Sequence, residues 1–188
     1  MVFEVDWTRA GLAQLGFVGW RAFGSLEASD LPPRHGVYVV VREPGPRPEF
    51  LVDSVAGPHK RKALTVNLDM LRKAWRDDAE VVYVGKAGGR VGLQARLWAY
   101  AKQGRGRSAG HAGGRFVWQL PASDQLLVGW RETGTLDVGE VEEAMLALHI
   151  DQFRRRPFAN MKDGYRMTPD EARRLLATAF TGPSSELG

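Results

Sequence analysis

The chain has 188 residues, 44% of them hydrophobic and 26% charged, which is enough for one compact domain with a substantial core and too little for a two-domain enzyme. It contains no cysteine, so disulfides, thiolate nucleophiles and cysteine-bound zinc or iron–sulfur centres are excluded. Its 26 Lys plus Arg exceed 22 Asp plus Glu, and the excess is concentrated in residues 81–122, where Lys86, Arg90, Arg96, Lys102, Arg105, Arg107 and Arg115 occur with no acidic residue at all.

Asp6 and Thr8 are cap candidates ahead of Leu12, Leu15, Phe17, Trp20 and Phe23, and the glycines among them predict a short helix followed by an irregular packing segment. Turn chemistry from Leu31 to Gly36 delivers the chain into Val37-Tyr38-Val39-Val40-Val41, a β-branched run expected as a buried strand. Pro44, Gly45, Pro46 and Pro48 break it. Phe50-Leu51-Val52 is short enough to return as a second strand, and Gly57 to Lys62 reads as an exposed basic loop. Residues 67–79 set Leu68, Leu71 and Trp75 at helical spacing opposite Arg72, Lys73 and Arg76, the pattern of an amphipathic helix. Val81 to Gly85 predicts another strand, Gly88-Gly89 a turn, and Val91, Leu93, Leu97, Trp98, Tyr100 and Ala101 a helix. A glycine-rich basic loop over 104–114 leads to two expected strands, 115–120 and 125–131, with hairpin composition between them. A helix comes next, from Val138 to about Arg155, ended by Pro157. Thr168-Pro169-Asp170-Glu171 then forms a capping box ahead of a last helix. The expected fold class is α/β of the α+β kind, a small and mostly antiparallel central sheet flanked by helices. The first residues lack a signal-peptide layout and no apolar run nears the roughly 18 residues of a membrane span, so a cytoplasmic protein with no membrane partner is expected.

Two strands carry a tyrosine close to a glycine, Gly36-Val37-Tyr38 and Tyr83-Val84-Gly85, and each hands over to basic sequence. A strand tyrosine is usually a half-buried packing residue, so the pair gains meaning only together with residues further along the chain. Arg96 lies on the helix after Tyr83-Val84-Gly85-Lys86, Glu142 lies at the edge of an apolar helical stripe, and Pro157-Phe158-Ala159-Asn160 closes that helix. Nucleotide-loop readings fail. Gly85 to Gly92 matches neither phosphate-loop pattern, and Gly104 to Ala109, which fits G-x-G-x-x-A, comes after a helix where a strand is needed. The four histidines have no i, i+4 pairing, so any metal would take oxygen ligands.

In that order, Gly36-Val37-Tyr38, Tyr83-Val84-Gly85-Lys86, Arg96, Glu142 and Pro157-Phe158-Ala159-Asn160 resemble the signature of the GIY-YIG nuclease superfamily over about residues 36–160. The resemblance implies a metal-dependent endonuclease that hydrolyses DNA phosphodiester bonds. It implies a single domain with a nuclease core over residues 31–160, a helix-bearing insertion at 42–79 between the two motif strands, and packed extensions at 1–30 and 161–188. Tyr38 would be general base or orienter of the attacking water, and Tyr83 would hold the same water. A free phenol has a pKa of about 10, so a base at Tyr38 would need a cation beside it, for which Lys86 is the candidate. Arg96 would grip the scissile phosphate, Glu142 would ligate one Mg²⁺ (or Mn²⁺), and Asn160 would brace the site. Arg90 competes for the arginine role and Glu143 for the metal, with Val141, Met145 and Leu146 favouring Glu142. His111 is a further candidate for proton transfer, with an exposed loop histidine as the alternative. Arg90, Lys102, Arg105, Arg107 and Arg115 would bind nucleic acid, expected to be DNA. The rival function is a basic nucleic-acid-binding module that keeps the fold without turnover, and the insertion is compatible with a protein partner in either case.

Overall fold

A computed structural model of the protein describes residues 3–109, 113–162 and 166–181. Its centre is a four-stranded sheet built from β1 (Val18–Ala22), β2 (Gly36–Val41), β3 (Val81–Ala87) and β4 (Leu127–Glu132), in the order β1-β4-β2-β3 and antiparallel throughout. Among the described residues five α-helices surround it: α1 (Arg9–Gln14), α2 (Leu68–Ala74), α3 (Gly92–Gly104), α4 (Val138–Phe153) and α5 (Pro169–Thr181). The α+β class with a small antiparallel sheet is as the sequence indicates. Among the described residues no helix is long and apolar enough to cross a membrane.

β2 is buried at all six positions, which is what a β-branched run without polar alternation requires of a central strand covered on both faces. One face carries Tyr38, Val40 and Tyr83 into a core with Leu93, Leu97 and Tyr100 of α3. The other carries Val37, Val39 and Val84 into a core with Val141, Ala144 and Met145 of α4, beyond which lie Ala172, Leu176 and Phe180 of α5. Helix ends obey their local chemistry. Asp137 caps α4 by accepting from the amides of Gly139 and Glu140 at 2.7 and 3.0 Å. The capping box of α5 closes as expected, with Thr168 Oγ1 accepting from the Glu171 amide and Glu171 Oε2 accepting from the Thr168 amide.

Three segments differ from the sequence expectation. Residues 18–22 are a strand, not an irregular segment; positive φ at Gly19 and Trp20 shifts the register against β4 between Val18 and Arg21 and hides the period-2 signal. Residues 115–120 are not a strand. Arg115–Gln119 is a 3-10 turn whose Phe116, Val117, Trp118 and Gln119 are all buried, so the apolar run reflects burial on every side. Phe50-Leu51-Val52 is not a strand either, since the Leu51 amide reaches only the Gln119 carbonyl at 2.9 Å. The segment between β2 and β3 is instead tied down by two buried amide side chains. Gln119 accepts from the Val66 amide and donates to the carbonyls of Leu51 and Val66, and Gln103 donates to the Gly57 carbonyl. The β2–β3 ladder therefore runs through six paired positions with the insertion outside it.

Candidate functional site

Strand register decides where the tyrosines point. Tyr38 pairs with Gly85 and Val40 with Tyr83, so both phenols project from the same face, with ring centroids 6.0 Å apart. The glycine of the second motif has a specific purpose: a Cβ at Gly85 would lie 2.5 Å from Tyr38 Cζ and 2.6 Å from its Oη. Only a residue without a side chain lets the Tyr38 ring lie across β3. α3 crosses this face and presents Arg96 and, one turn later, Tyr100. Tyr100 is buried, with its ring 5.8 Å from Tyr83 and 6.3 Å from Tyr38, and its hydroxyl donates to the Gly114 carbonyl at 3.1 Å. In the sequence Tyr100 stands out only as part of an apolar helical face; its i+4 spacing from Arg96 is the signal that places it in the site.

Burial pushes the pKa of Tyr38 up, the facing Arg96 guanidinium opposes that shift, and the Glu142 carboxylate adds to it. Tyr83 is pushed well up by burial and then by Tyr38, and Tyr100 likewise by burial and then by Tyr83. All three are neutral phenols at physiological pH. The Tyr38 hydroxyl is sealed from solvent, and neither Arg96 nor Tyr83 completes a well-aligned hydrogen bond to it; Arg96 Nε is also without a partner. Burial acts against the Arg96 charge, the Tyr38, Tyr83 and Tyr100 oxygens around it act together in the other direction, and the net shift is upward, so Arg96 remains a cation.

Glu142 approaches from α4 with its side chain 14% exposed, and its charge acts on both Tyr38 and Tyr83. Lys86, whose strand position alternates with Gly85, turns toward α4 and places its Nζ 3.0 Å from Glu142 Oε2. The lysine thus neutralises the acid; it is not among the charges that act on Tyr38. Glu143 has a different job. Its Oε1 accepts from the amides of Arg166 and Met167 at 2.6 and 3.0 Å and fixes the approach to α5. Asn160 is buried and clamps Val84, accepting from its amide at 2.9 Å and donating to its carbonyl at 2.8 Å.

The remaining sequence candidates are dispersed. Arg90 is exposed in the turn after β3, and Arg107 is exposed in the loop after α3. Lys102 and Arg105 both lie over the Trp98 ring, at 5.5 and 5.1 Å. The Arg105 guanidinium also donates to the carbonyls of Phe23, Gly24 and Leu26, which makes it a tie between α3 and the segment after β1. Arg115 is half-buried at the start of the 3-10 turn. His111 lies outside the described residues.

Among the described residues no three His, Asp or Glu side chains gather into a metal cage. One partly exposed carboxylate paired with a lysine suits instead a cation that keeps most of its shell in water and substrate oxygens, as Mg²⁺ does. The group as a whole offers one fixed cation, one carboxylate held by a displaceable lysine, and neutral phenolic donors, drawn from β2, β3, α3 and α4. Comparison with protein-family models, curated proteins and solved structures gave no match to this chain.

Proposed function

We propose that the protein is a GIY-YIG-type endonuclease that hydrolyses DNA phosphodiester bonds with one divalent cation, Mg²⁺ or Mn²⁺, held by Glu142. The observation that carries this reading is convergence: Arg96 and Glu142, on different helices, both act electrostatically on Tyr38 and Tyr83, residues separated by up to 104 positions (38 to 142). Chance motif strings have no reason to meet.

Phosphodiester hydrolysis needs charge stabilisation on the phosphoryl oxygens, an oriented water and relief of charge on the leaving oxygen. Arg96 supplies a forked donor for the phosphate. Tyr83, and Tyr38 once substrate binding uncovers its hydroxyl, would orient the water or a phosphoryl oxygen by donating hydrogen bonds; a phenolate base at Tyr38 is disfavoured because burial outweighs the help from Arg96. Glu142 holds the cation, which would polarise the phosphate and neutralise the leaving oxyanion. Lys86, now paired with Glu142, would release that carboxylate to the cation and would then offer its ammonium to a neighbouring phosphate.

The reading is tested by nicking of supercoiled plasmid in Mg²⁺. Arg96→Ala and Glu142→Ala are expected to reduce the rate about 10²–10³-fold, and Tyr38→Phe to reduce it strongly at unchanged DNA affinity. One observation favours the rival reading of a binding module without turnover: the Tyr38 hydroxyl is closed to solvent. A wild-type protein that binds DNA and never cuts it, across several substrates and metals, would select that rival.

A further inference from the structure

Asn160, which clamps Val84, also lines a cleft of about 710 Å³ whose walls include none of Tyr38, Tyr83, Arg96 or Glu142. Its walls come from α2, in the insertion, and from the chain that leaves α4. Lys73 and Arg154 to Arg156 line it, and among the described residues no acidic one does. The Arg154 side chain is 83% exposed, with Asp151 no nearer than 3.7 Å, and Asp151 is itself held by Arg173 at 2.5 Å. Two of the few large apolar side chains exposed among the described residues, Met70 at 48% and Met161 at 40%, line this same cleft, with Phe116 and Phe158 buried behind them. Exposed apolar groups set inside a rim of four cationic side chains select a ligand with a flat apolar face and an attached anion.

One short piece of chain links the candidate site to the cleft wall. A Cβ at Gly114 would lie 3.2 Å from Tyr83 Cδ2, and Phe116, two residues on, is in the cleft wall. Two residues span at most about 7 Å, roughly one nucleotide step of an extended strand. Building on the reading of the site as a nuclease, we propose that this cleft seats an unpaired nucleotide of the DNA substrate, its base against Met70 and Met161 and its phosphate against Lys73 and Arg154, so that the enzyme prefers duplex with a single-stranded flank.

The test is fluorescence anisotropy in EDTA with labelled duplexes that are blunt or carry a three-nucleotide overhang. Wild type is expected to bind the overhang about tenfold or more tightly, the range that base stacking gives. Met161→Glu and Lys73→Glu, both at exposed positions, should abolish the preference, and Lys73→Glu should lower the salt slope by about one. Iodouracil placed in the overhang should crosslink to residues 70–74 or 154–161. Equal wild-type affinity for both duplexes, crosslinks only elsewhere, or displacement of the overhang by polyglutamate as readily as by oligothymidylate would each overturn the proposal, the last by showing a generic site for acidic polymers. No cleavage is needed for this readout. An overhang preference in a protein that never nicks DNA sinks the nuclease reading alone, and nicking without any preference sinks the cleft alone.

Discussion

Asn160 offers a test that requires no substrate. Among the described residues β3 is an edge strand with β2 as its ladder partner, and the Val84 amide and carbonyl face away from that ladder. The chain after α4 supplies what a fifth strand would: the Ala159 amide donates to the Val82 carbonyl at 2.8 Å, and the Asn160 carboxamide makes both bonds to Val84. Asn160→Ala leaves two buried backbone groups without partners. Each such loss costs about 1–3 kcal/mol, and water entering the vacated space offsets some of it, so the expected destabilisation is about 3 kcal/mol. For a domain of this size that lowers Tm by about 6–12 °C. Chemical denaturation should give the same loss. Asn160→Asp separates the two bonds: it keeps the acceptor for the Val84 amide but sets a carboxylate against the Val84 carbonyl, so its stability relative to wild type should improve as pH falls and the new carboxyl gains a proton to donate. A cost below about 0.5 kcal/mol for Asn160→Ala, well under the range for a lost buried partner, would refute the view that this residue closes the sheet edge.

Four further outcomes are expected. Burial holds His149, in the core beside Trp7 and Phe153, at a pKa of about 4 against an ordinary 6.5, with the bond to the Arg155 carbonyl working in the other direction. Because the unfolded chain takes up the proton first, stability should fall by about 3 kcal/mol as pH drops from about 6.5 to about 4; urea midpoints that decline no more steeply in wild type than in His149→Gln would contradict this. Gly85→Ala forces the Tyr38 ring to move, so a loss of about 1–3 kcal/mol should accompany loss of nicking, and a fully active, stable variant would show that the ring is not seated by β3. Glu143→Ala should cost stability, about 1–2 kcal/mol for the two amide bonds, while plasmid nicking persists. Glu142→Ala should show the reverse pattern, so that exchanged phenotypes would move the metal role to Glu143.

Local chemistry decides which parts of the molecule are legible in the sequence. The Val37–Val41 strand, the Val81–Gly85 strand, the capping box at Thr168 and the closure of α4 before Pro157 all depend on residues adjacent in the chain. Arg96 and Glu142 are legible as members of an ordered set. The segments that escape such a reading share a cause. Residues 18–22 are a strand because β4 accepts them despite a bulge, and 115–120 are a 3-10 turn because the insertion covers them, so distant segments decide both. Lys86 is near Tyr38 in the motif and so is expected beside it, yet strand alternation turns the lysine to the opposite face and onto Glu142.

The insertion between β2 and β3 illustrates how a long excursion can leave a site intact. Because Gln119 and Gln103 satisfy its backbone from outside the sheet, the ladder that aligns Tyr38 with Gly85 needs nothing from residues 42–79. The phenol–guanidinium group is therefore set by β2, β3 and α3 alone. α2 instead meets the chain leaving α4, where Arg155 donates to the Lys73 carbonyl at 3.1 Å and so joins the two walls of the cleft. Asn160 belongs to both regions, holding Val84 next to Tyr83 and also lining the cleft. On the nuclease reading, changes in α2 should therefore alter which DNA is held and not how fast the held DNA is cut, whereas changes at Asn160 should alter both.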